Sequence, residues 1–335
     1  MKKILFIATG GTVASTQGKN GLNPRINSEE LLTKIPEIKN HCYVKSEMLM
    51  NIDSTNMTPE RIKDLAKVIF SNYQDYDGFV IAHGTDTMGY TLPMLTYMLK
   101  NLNKPIVATG SQVPIVYSNT DAKENLFNAF MFTLEMMPGV YLVFSNKIIK
   151  GTRAVKVKTK SLNAFESINS PCVGLIENGK IKYCKGQKKK KQTDKENKIS
   201  LIPDLCSSVF LLKLHPGLNL KIFEYIKRNY KAIIVEAYGL GGIPNIKDFN
   251  ISKKLKELIE DDIVVVVTTQ CLKEGIDLEI YEVGREIAQH QKIIRVGDMN
   301  TETAMAKLMW ALAKYNNYYN IKEFMETPIF SDHSC

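Results

Sequence analysis

Two short motifs bring together residue types that could cleave an amide bond. In ATGGT (residues 8–12), Thr12 follows two glycines, which let a backbone approach a ligand closely. In HGTDTM (residues 83–88), Thr85 and Asp86 are adjacent, so one point of the chain provides both a hydroxyl and a carboxylate. A threonine hydroxyl attacks a carbonyl carbon when a neighbouring group removes its proton. The pair predicts nucleophilic acyl chemistry, in which Asp86 could hold a cationic amino group.

Each motif is also compatible with a plainer role. ATGGT could be a phosphate-binding loop or a simple turn, although it does not match the dinucleotide fingerprint GxGxxG. HGTDTM could be an Asx-type turn that caps the helix after it. From the residues alone, both alternatives stay open.

The elements around these motifs indicate how their side chains could meet. The predicted elements of the first half are strand 4–8, helix 58–70, strand 78–82, helix 91–102, strand 106–108 and strand 139–144. Strands that alternate with helices indicate βαβ units in a parallel sheet, where ligands bind at the carboxyl ends of the strands. Five polar residues lie just past predicted strand ends, namely Thr12, Thr85, Asp86, Ser111 and Gln112.

A second α/β unit is predicted in the last third of the chain. Its predicted elements are strand 232–236, a glycine-rich loop at 238–242, helix 253–259, strand 263–268 and a last helix at 301–314. We therefore predict an α/β protein with two domains. The larger N-terminal domain (1–185) has a parallel or mixed sheet flanked by helices, a lysine-rich linker or insertion follows at 186–204, and the smaller C-terminal α/β domain spans 205–335.

Composition limits the other functional classes. The 335 residues are 44% hydrophobic and 24% charged, which is typical of a globular protein. No apolar run reaches the roughly eighteen residues of a membrane span, and the apolar start is too short for a signal peptide. The net charge of +9 owes much to a lysine run at 185–198, which is typical of a solvated loop. We predict a cytoplasmic protein with no membrane partner and no nucleic-acid partner.

The cysteines and histidines show no ligand pattern. The six cysteines are scattered and form no CxxC pair, which indicates free thiols in a reducing compartment. The five histidines lack the spacing of metal ligands. We therefore predict no metal and no cofactor, and amide hydrolysis would need only a nucleophile, a base and an oxyanion hole.

Several stretches of the chain resemble the L-asparaginase family, and in particular its bacterial type I branch. ATGGTVAS (8–15) and HGTDTMGYT (83–91) look like the two signature sequences of that family. The other similar stretches are DSTNMTP (53–59), KPIVATGSQVP (104–114), DAKENLFNA (121–129), RAVKVKTKSLNAF (153–165), YGLGGIP (238–244) and GDMNTETAMAKL (297–308). The resemblance covers nearly the whole chain, and the lysine run is the main segment without a counterpart.

The resemblance implies an amidohydrolase that converts L-asparagine to L-aspartate and ammonia through a threonine-bound acyl-enzyme. Thr12 resembles the primary nucleophile of the family, and Thr85, Asp86 and Lys156 resemble its second catalytic cluster. Lysines and arginines surround Lys156, so its choice depends on the resemblance. A buried lysine would lose its preference for the charged form and could then act as a base.

The resemblance also implies substrate contacts and an assembly. Ser54 and Asp86 would bind the α-carboxylate and α-amino groups of asparagine. Thr55 and Ser111 are further candidates for contact with the substrate. The family forms homodimers or homotetramers in which a neighbouring subunit completes the site.

One position departs from the family pattern. The family often places a tyrosine on the loop after Thr12, where it orients and activates that hydroxyl. Here the loop STQGKNGLNPRI (15–26) has Leu22 at the matching place, and no tyrosine occurs before His41. We predict that Tyr281, which could come from a neighbouring chain, is the replacement partner, and packing or surface exposure is the alternative. The glycine- and asparagine-rich turns of the loop predict a mobile lid.

Two other functions are compatible with part of this pattern. A related amidotransferase subunit that processes mischarged glutamyl-tRNA shares both signature sequences. Such subunits carry a domain before the ATGGT motif, and the few residues before Thr12 lead us to expect none here. A non-enzymatic binder on a flavodoxin-like sheet would not need Thr12, Thr85, Asp86 and Lys156 together. Ammonia release from asparagine without tRNA or ATP would distinguish an asparaginase from both alternatives.

Overall fold

The chain is described by a computed structural model over residues 1–187 and 198–334. Of the predicted lysine-rich segment, residues 188–197 lie outside the described residues. The chain divides into two compact units, Met1–Pro203 and Asp204–Cys335. Both are α/β units, and the predicted two-domain α/β class is confirmed.

The first unit alternates strands and helices through most of its length. Its elements are β1 (Lys2–Gly10), β2 (Ser15–Gly18), β3 (Gly21–Pro24), α1 (Ser28–Thr33), β4 (Cys42–Ile52), α2 (Pro59–Ser71), β5 (Gly78–Ala82), α3 (Met88–Met98), β6 (Leu99–Lys100), β7 (Pro105–Thr109), α4 (Ala122–Thr133), β8 (Gly139–Phe144), β9 (Lys147–Lys150), β10 (Ala154–Lys156), β11 (Phe165–Ser167), β12 (Gly174–Glu177), β13 (Lys180–Tyr183) and β14 (Ser200–Leu201). Short 3-10 helices occur at Thr12–Ala14, Pro36–Asn40, Ser54–Asn56 and Gly151–Arg153.

The main sheet of this unit is mixed, as predicted. Its eight strands have the order β13-β12-β9-β8-β7-β5-β1-β4. Strands β4, β1, β5, β7 and β8 are parallel, whereas β9, β12 and β13 extend the sheet in antiparallel fashion. Strands β5, β7 and β8 are buried at every residue, as expected for parallel strands covered on both faces. The carboxyl ends of β1, β5 and β7 therefore lie at one edge of the sheet.

The predicted helix at 58–70 is present as α2. Thr58 is its N-cap, because its hydroxyl oxygen accepts a hydrogen bond from the backbone N–H of Arg61, and Pro59 lies in the first turn. The apolar residues Ile62, Leu65, Ala66 and Ile69 form its buried face.

Two predicted elements of the first unit were wrong in detail. The helix predicted at 91–102 begins at Met88 and ends at Met98, and nearly all of it is buried, so no amphipathic period marks its ends. The loop after Thr12 is an antiparallel hairpin of β2 and β3. Its turn lies next to Gly21, which has a φ of 111°, and Asn23 and Pro24, which the sequence placed in a loop, belong to β3.

The second unit is a smaller parallel α/β unit. Its elements are β15 (Val209–Lys213), α5 (Ile222–Asn229), β16 (Ala232–Ala237), β17 (Asn245–Ile246), β18 (Phe249–Asn250), α6 (Ile251–Glu260), β19 (Val264–Thr269), α7 (Glu282–Ala288), β20 (Ile293–Arg295), α8 (Thr301–Lys314) and α9 (Tyr318–Glu326). The sheet has the order β15-β16-β19-β20, and all its neighbours are parallel. Helix α8 has the predicted bounds, but it is not the last helix, because α9 follows it.

Two further observations concern the whole described chain. In residues 1–187 and 198–334, no helix combines the length and the apolar character needed to cross a bilayer. The described cysteines are all free thiols, as the sequence predicted for them: Cys42, Cys172, Cys184, Cys206 and Cys271.

Candidate active site

The turns at the carboxyl ends of β1 and β5 touch backbone to backbone. A Cβ atom on Gly11 would overlap the Cα atom of Gly84, and a Cβ atom on Gly84 would lie 2.5 Å from the hydroxyl oxygen of Ser54. Gly11 also has a φ of 77°, which favours glycine. The glycines of both motifs are therefore required for close approach, and they place the turns of Thr12, Thr85 and Ser54 against one another.

Lys156 joins the Thr85 turn through two hydrogen bonds. Its Nζ atom donates to Thr85 Oγ1 at 2.7 Å and to Asp86 Oδ1 at 2.6 Å. Thr85 is 4% exposed, whereas the side chains of Lys156 and Asp86 are 20% and 52% exposed. The structure thus brings Thr85, Asp86 and Lys156 together, and the Asp86 carboxylate is open to an incoming cation. The sequence-based expectation of a buried lysine was wrong in degree, because Lys156 is only partly buried.

The position of Lys156 follows from a short hairpin. Strand β10 ends at Lys156, which pairs with Phe165 of β11, and the loop between them is closed by a 2.8 Å hydrogen bond from the backbone N–H of Val157 to Ala164 O. The next lysine, Lys158, lies in this loop and donates to Asn163 Oδ1 at 2.9 Å. The two lysines therefore have different partners, although they are close in sequence.

Of the two predicted residues after β4, only Ser54 is bonded to the Thr85 turn. Ser54 is buried, its hydroxyl accepts a hydrogen bond from the backbone N–H of Asp86 at 3.2 Å, and its carbonyl accepts one from Thr87 Oγ1 at 2.9 Å. Thr55 is exposed, and its hydroxyl donates to Asp53 Oδ1 at 2.8 Å within the same turn. A substrate contact of Thr55 stays a prediction.

The turn after β7 presents Gln112 to the cluster. Ser111 is fully buried and its hydroxyl donates to Val113 O at 2.7 Å, so it supports its own turn. A substrate contact of Ser111 stays a prediction. Gln112 instead reaches Thr85, whose hydroxyl donates to Gln112 Oε1 at 3.4 Å.

The start of α4 holds this turn in place, a role that was not predicted from the sequence. The Asp121 carboxylate accepts hydrogen bonds at 3.0 Å from the backbone N–H groups of Gln112 and Val113. The side-chain amide of Asn125, one helical turn later, donates to Gly110 O at 3.0 Å. The available signal was the spacing of four between Asp121 and Asn125, which places both side chains on one face of a helix.

His83 is a second residue whose role was not predicted from the sequence. It is completely buried, with Nδ1 2.6 Å from Gly84 O and Nε2 3.0 Å from Thr91 Oγ1. Because a carbonyl oxygen only accepts, we assign the proton to Nδ1, and Nε2 then accepts from Thr91. Burial lowers the pKa of His83 to about 4, so the ring is neutral at pH 7. It anchors the backbone of the turn that carries Thr85.

Thr12 has a more open environment than Thr85. It begins the 3-10 helix Thr12–Ala14 and is partly exposed. Within residues 1–187, no group forms a hydrogen bond with its hydroxyl. Leu22 of β3 is 48% exposed, and Tyr281, which lies just before α7 in the second unit, is 60% exposed. A Thr12–Tyr281 partnership stays a prediction.

The side chains around Thr85 form a set of hydrogen-bonding polar groups. In residues 1–187 and 198–334, no group of three or more histidine, cysteine, aspartate or glutamate side chains is arranged to hold a metal ion. The polar side chains gathered around Thr85 provide hydroxyls, one carboxylate, one amine and one amide. Such a set is suited to proton transfer and to nucleophilic attack.

The chain is similar to known proteins over nearly its full length. L-asparaginase of Thermococcus kodakarensis is 36% identical over 329 residues, which is 98% of each chain. L-asparaginase 1 of Escherichia coli is 31% identical, covering 97% of this chain and 96% of that protein. A glutamyl-tRNA(Gln) amidotransferase subunit of Methanosphaera stadtmanae is 34% identical, but the match covers 76% of that protein.

The fold and the family models give the same result. The structure of the thermostable L-asparaginase from Thermococcus kodakarensis superimposes with a TM-score of 0.92 at 34% identity, covering 99% of both chains. Residues 3–189 match the family model "Asparaginase, N-terminal" and residues 208–325 match "Glutaminase/Asparaginase C-terminal domain". These matches confirm the resemblance found in the motifs, and the chain belongs to the asparaginase family.

Proposed function

We propose that this protein is an L-asparaginase that hydrolyses L-asparagine to L-aspartate and ammonia. The observation that carries the proposal is the hydrogen-bonded cluster of Lys156, Thr85 and Asp86, packed through Gly84 against the turn of Thr12. The candidate nucleophile Thr12 and the open carboxylate of Asp86 thus lie in turns that follow the neighbouring strands β1 and β5, and the candidate proton-transfer group Lys156 comes from the end of β10. Full-length similarity to two L-asparaginases supports the same substrate.

Asp86 and Ser54 would hold the amino-acid end of the substrate. The Asp86 carboxylate is 52% exposed and would accept hydrogen bonds from the α-ammonium group. The α-ammonium group would then lie beside the Lys156 amine, which donates to the same carboxylate.

Thr12 would carry the covalent step. Its hydroxyl oxygen attacks the side-chain amide carbon, the hydroxyl proton passes to a base, and the C–N bond breaks as ammonia leaves with a proton. Backbone N–H groups of the adjoining turns would stabilise the oxyanion. Water then attacks the resulting ester carbon and gives up a proton through Thr85 to Lys156. The bond between Thr12 Oγ1 and that carbon breaks, and Thr12 regains its proton as aspartate is released. This order of events agrees with a partly exposed Thr12 and a hydrogen-bonded Thr85.

The experiment that tests this function is ammonia release from purified protein supplied with L-asparagine, without tRNA or ATP. The Thr85→Ala variant, prepared in parallel, measures any contaminating activity of the host. Release by the wild type alone supports the proposal, and equal release by both proteins contradicts it. L-glutamine in a parallel assay determines the preference between the two amides.

A second candidate is suggested by the amidotransferase relative. The amidotransferase subunit of Methanosphaera stadtmanae is about as similar to this chain as the asparaginases are. If this candidate is correct, free asparagine gives no ammonia, and amide hydrolysis requires a tRNA-linked partner.

A cytoplasmic location, a homodimeric or homotetrameric assembly, and the absence of a cofactor are proposals that come from the family resemblance.

A further inference from the structure

The Gln112 side chain is bonded at both ends of its amide. Its Nε2 atom donates to two backbone carbonyls of the loop after β10, Thr159 O at 3.1 Å and Ser161 O at 3.3 Å. Its Oε1 atom lies 3.4 Å from Thr85 Oγ1. One side chain therefore connects the loop that follows Lys156 with the hydroxyl to which Lys156 itself donates.

These contacts fix which way the amide points. Both carbonyls of the loop can only accept, so the NH2 group must face Thr159 and Ser161, and Oε1 must face Thr85. An amide oxygen cannot donate, so Thr85 donates to Gln112 while its oxygen accepts from Lys156. The proton of the Thr85 hydroxyl is thereby directed away from the lysine.

We infer that Gln112 is a positioning residue for the Thr85–Lys156 pair. It holds the loop that follows Lys156, and it keeps the Thr85 proton in a defined place until the lysine can accept it. This inference rests on the proposed function, since it concerns proton transfer in amide hydrolysis. It also explains why the turn after β7 contributes to the site through Gln112, while Ser111 is turned into the protein.

The length of the Thr85–Gln112 bond suits such a role. An O–H···O hydrogen bond is usually 2.5–3.0 Å long, so a bond of 3.4 Å is weak and easily exchanged. Rotation about the Thr85 side chain would move the proton from Gln112 to a neutral Lys156 at little cost. The backbone of Gln112 does not follow this rotation, because its N–H group is bonded to both carboxylate oxygens of Asp121.

Two substitutions separate positioning from simple structural support. Gln112→Met keeps the length of the side chain and removes both polar ends, and we expect kcat for asparagine to fall at least about tenfold while KM changes little. Gln112→Glu places a carboxylate beside Thr85 and Lys156, which stabilises a protonated amine. We expect the acidic limb of its kcat profile to move to higher pH, and loss of structural support alone would not move it.

Asn163→Ala is the matched control, because it removes a hydrogen bond from the same loop without touching Thr85. It should keep the wild-type kcat and pH profile. The inference is overturned if folded Gln112→Met and Gln112→Glu both keep the wild-type kcat and pH profile, or if Asn163→Ala loses as much activity as Gln112→Met. If Gln112→Met does not fold, the pH profile of Gln112→Glu decides. A wild-type protein without asparaginase activity would instead overturn the proposed function.

Discussion

The two threonine turns lie against each other, but they are held very differently. The Thr85 hydroxyl lies between Lys156 and Gln112, and its backbone is anchored by buried His83. The Thr12 hydroxyl has no hydrogen bond within residues 1–187, and an exposed hairpin follows it. One turn is prearranged by its own unit, whereas the other would depend on the substrate or on a further residue. We infer that the fold prepares proton transfer more fully than nucleophilic attack.

The largest effects are expected from the two hydroxyls. Thr12→Ala and Thr85→Ala should each lower kcat by more than about a thousandfold without loss of fold, since each removes a group that acts on the reacting atoms. The double variant should lose little more than the worse single variant, because the two residues act as one unit. Steady-state ammonia release with circular dichroism checks both points. A variant that keeps more than about a tenth of the wild-type rate has an activation free energy raised by less than roughly 1.4 kcal/mol. Such a result would mean that the replaced threonine is not essential.

Removal of the amine that bonds Thr85 should have the next largest effect. Lys156→Met keeps the length of the side chain, and we expect kcat to fall at least about a hundredfold with a small change in melting temperature. The fold should tolerate the change because Asp86, the other partner of the amine, is already half exposed. Lys158→Met is the control, since that amine bonds Asn163. Greater damage from Lys158→Met would move the catalytic role away from Lys156.

The sequence could predict where the site lies, because strands and their ends have strong local signals. Buried runs ending in glycine marked β1, β5 and β7, and the carboxyl ends of parallel strands meet at one edge. The sequence has no comparable signal for which side chain of a turn points towards the site. Ser111 and Gln112 are adjacent, polar and equally plausible, and only the hydrogen bonds of α4 to this turn decide which side chain reaches Thr85.

The choice between two lysines shows a similar limit. Lys156 and Lys158 are two residues apart, so the alternation of a strand would place both on the same face. The two lysines have different partners because β10 ends at Lys156 and the chain continues from there as a loop that contains Lys158. The resemblance to a family supplied this residue, and local pattern could not. Contacts between distant segments, such as Gln112 with Thr159, have no local signal at all.

The missing partner of Thr12 gives a smaller expected effect. Leu22 cannot form a hydrogen bond, so we propose that Tyr281 supplies the hydroxyl that activates Thr12. Tyr281→Phe removes only the phenol oxygen of a side chain that is 60% exposed, so stability should change little. We expect kcat to fall at least about tenfold, measured by ammonia release from asparagine.

A second substitution sharpens this test of the partner. Leu22→Tyr added to the Tyr281→Phe variant should restore part of the activity, because the hairpin would then carry the hydroxyl. Full activity of Tyr281→Phe would mean that Thr12 uses another group or none. In that case the contrast between an unaided Thr12 turn and a prearranged Thr85 turn becomes sharper.

The smallest expected effect concerns stability and belongs only to the Thr85 turn. Burial lowers the pKa of His83 from 6.5 to about 4. Above pH 6.5 the ring is neutral in both the folded and the unfolded chain. Between these two pH values the His83 ring binds a proton in the unfolded chain but not in the folded chain, so the free energy of unfolding falls as the pH is lowered. Below pH 4 both states are protonated, and the total loss from this group approaches about 3 kcal/mol.

Denaturant unfolding of the wild type, His83→Gln and His41→Gln from pH 7.5 to pH 4 checks this effect. His83→Gln should be less stable at neutral pH, because it loses the bonds to Gly84 and Thr91, but its stability should fall less steeply below pH 6.5. His41 is exposed, so its replacement should leave the wild-type slope unchanged. Equal slopes for all three proteins would contradict a buried neutral His83. If only His83→Gln differs from the wild type, the acid sensitivity arises from His83, the residue that anchors the Thr85 turn. The Thr12 turn has no comparable group, because no titrating side chain of residues 1–187 is hydrogen-bonded to the Thr12 hydroxyl.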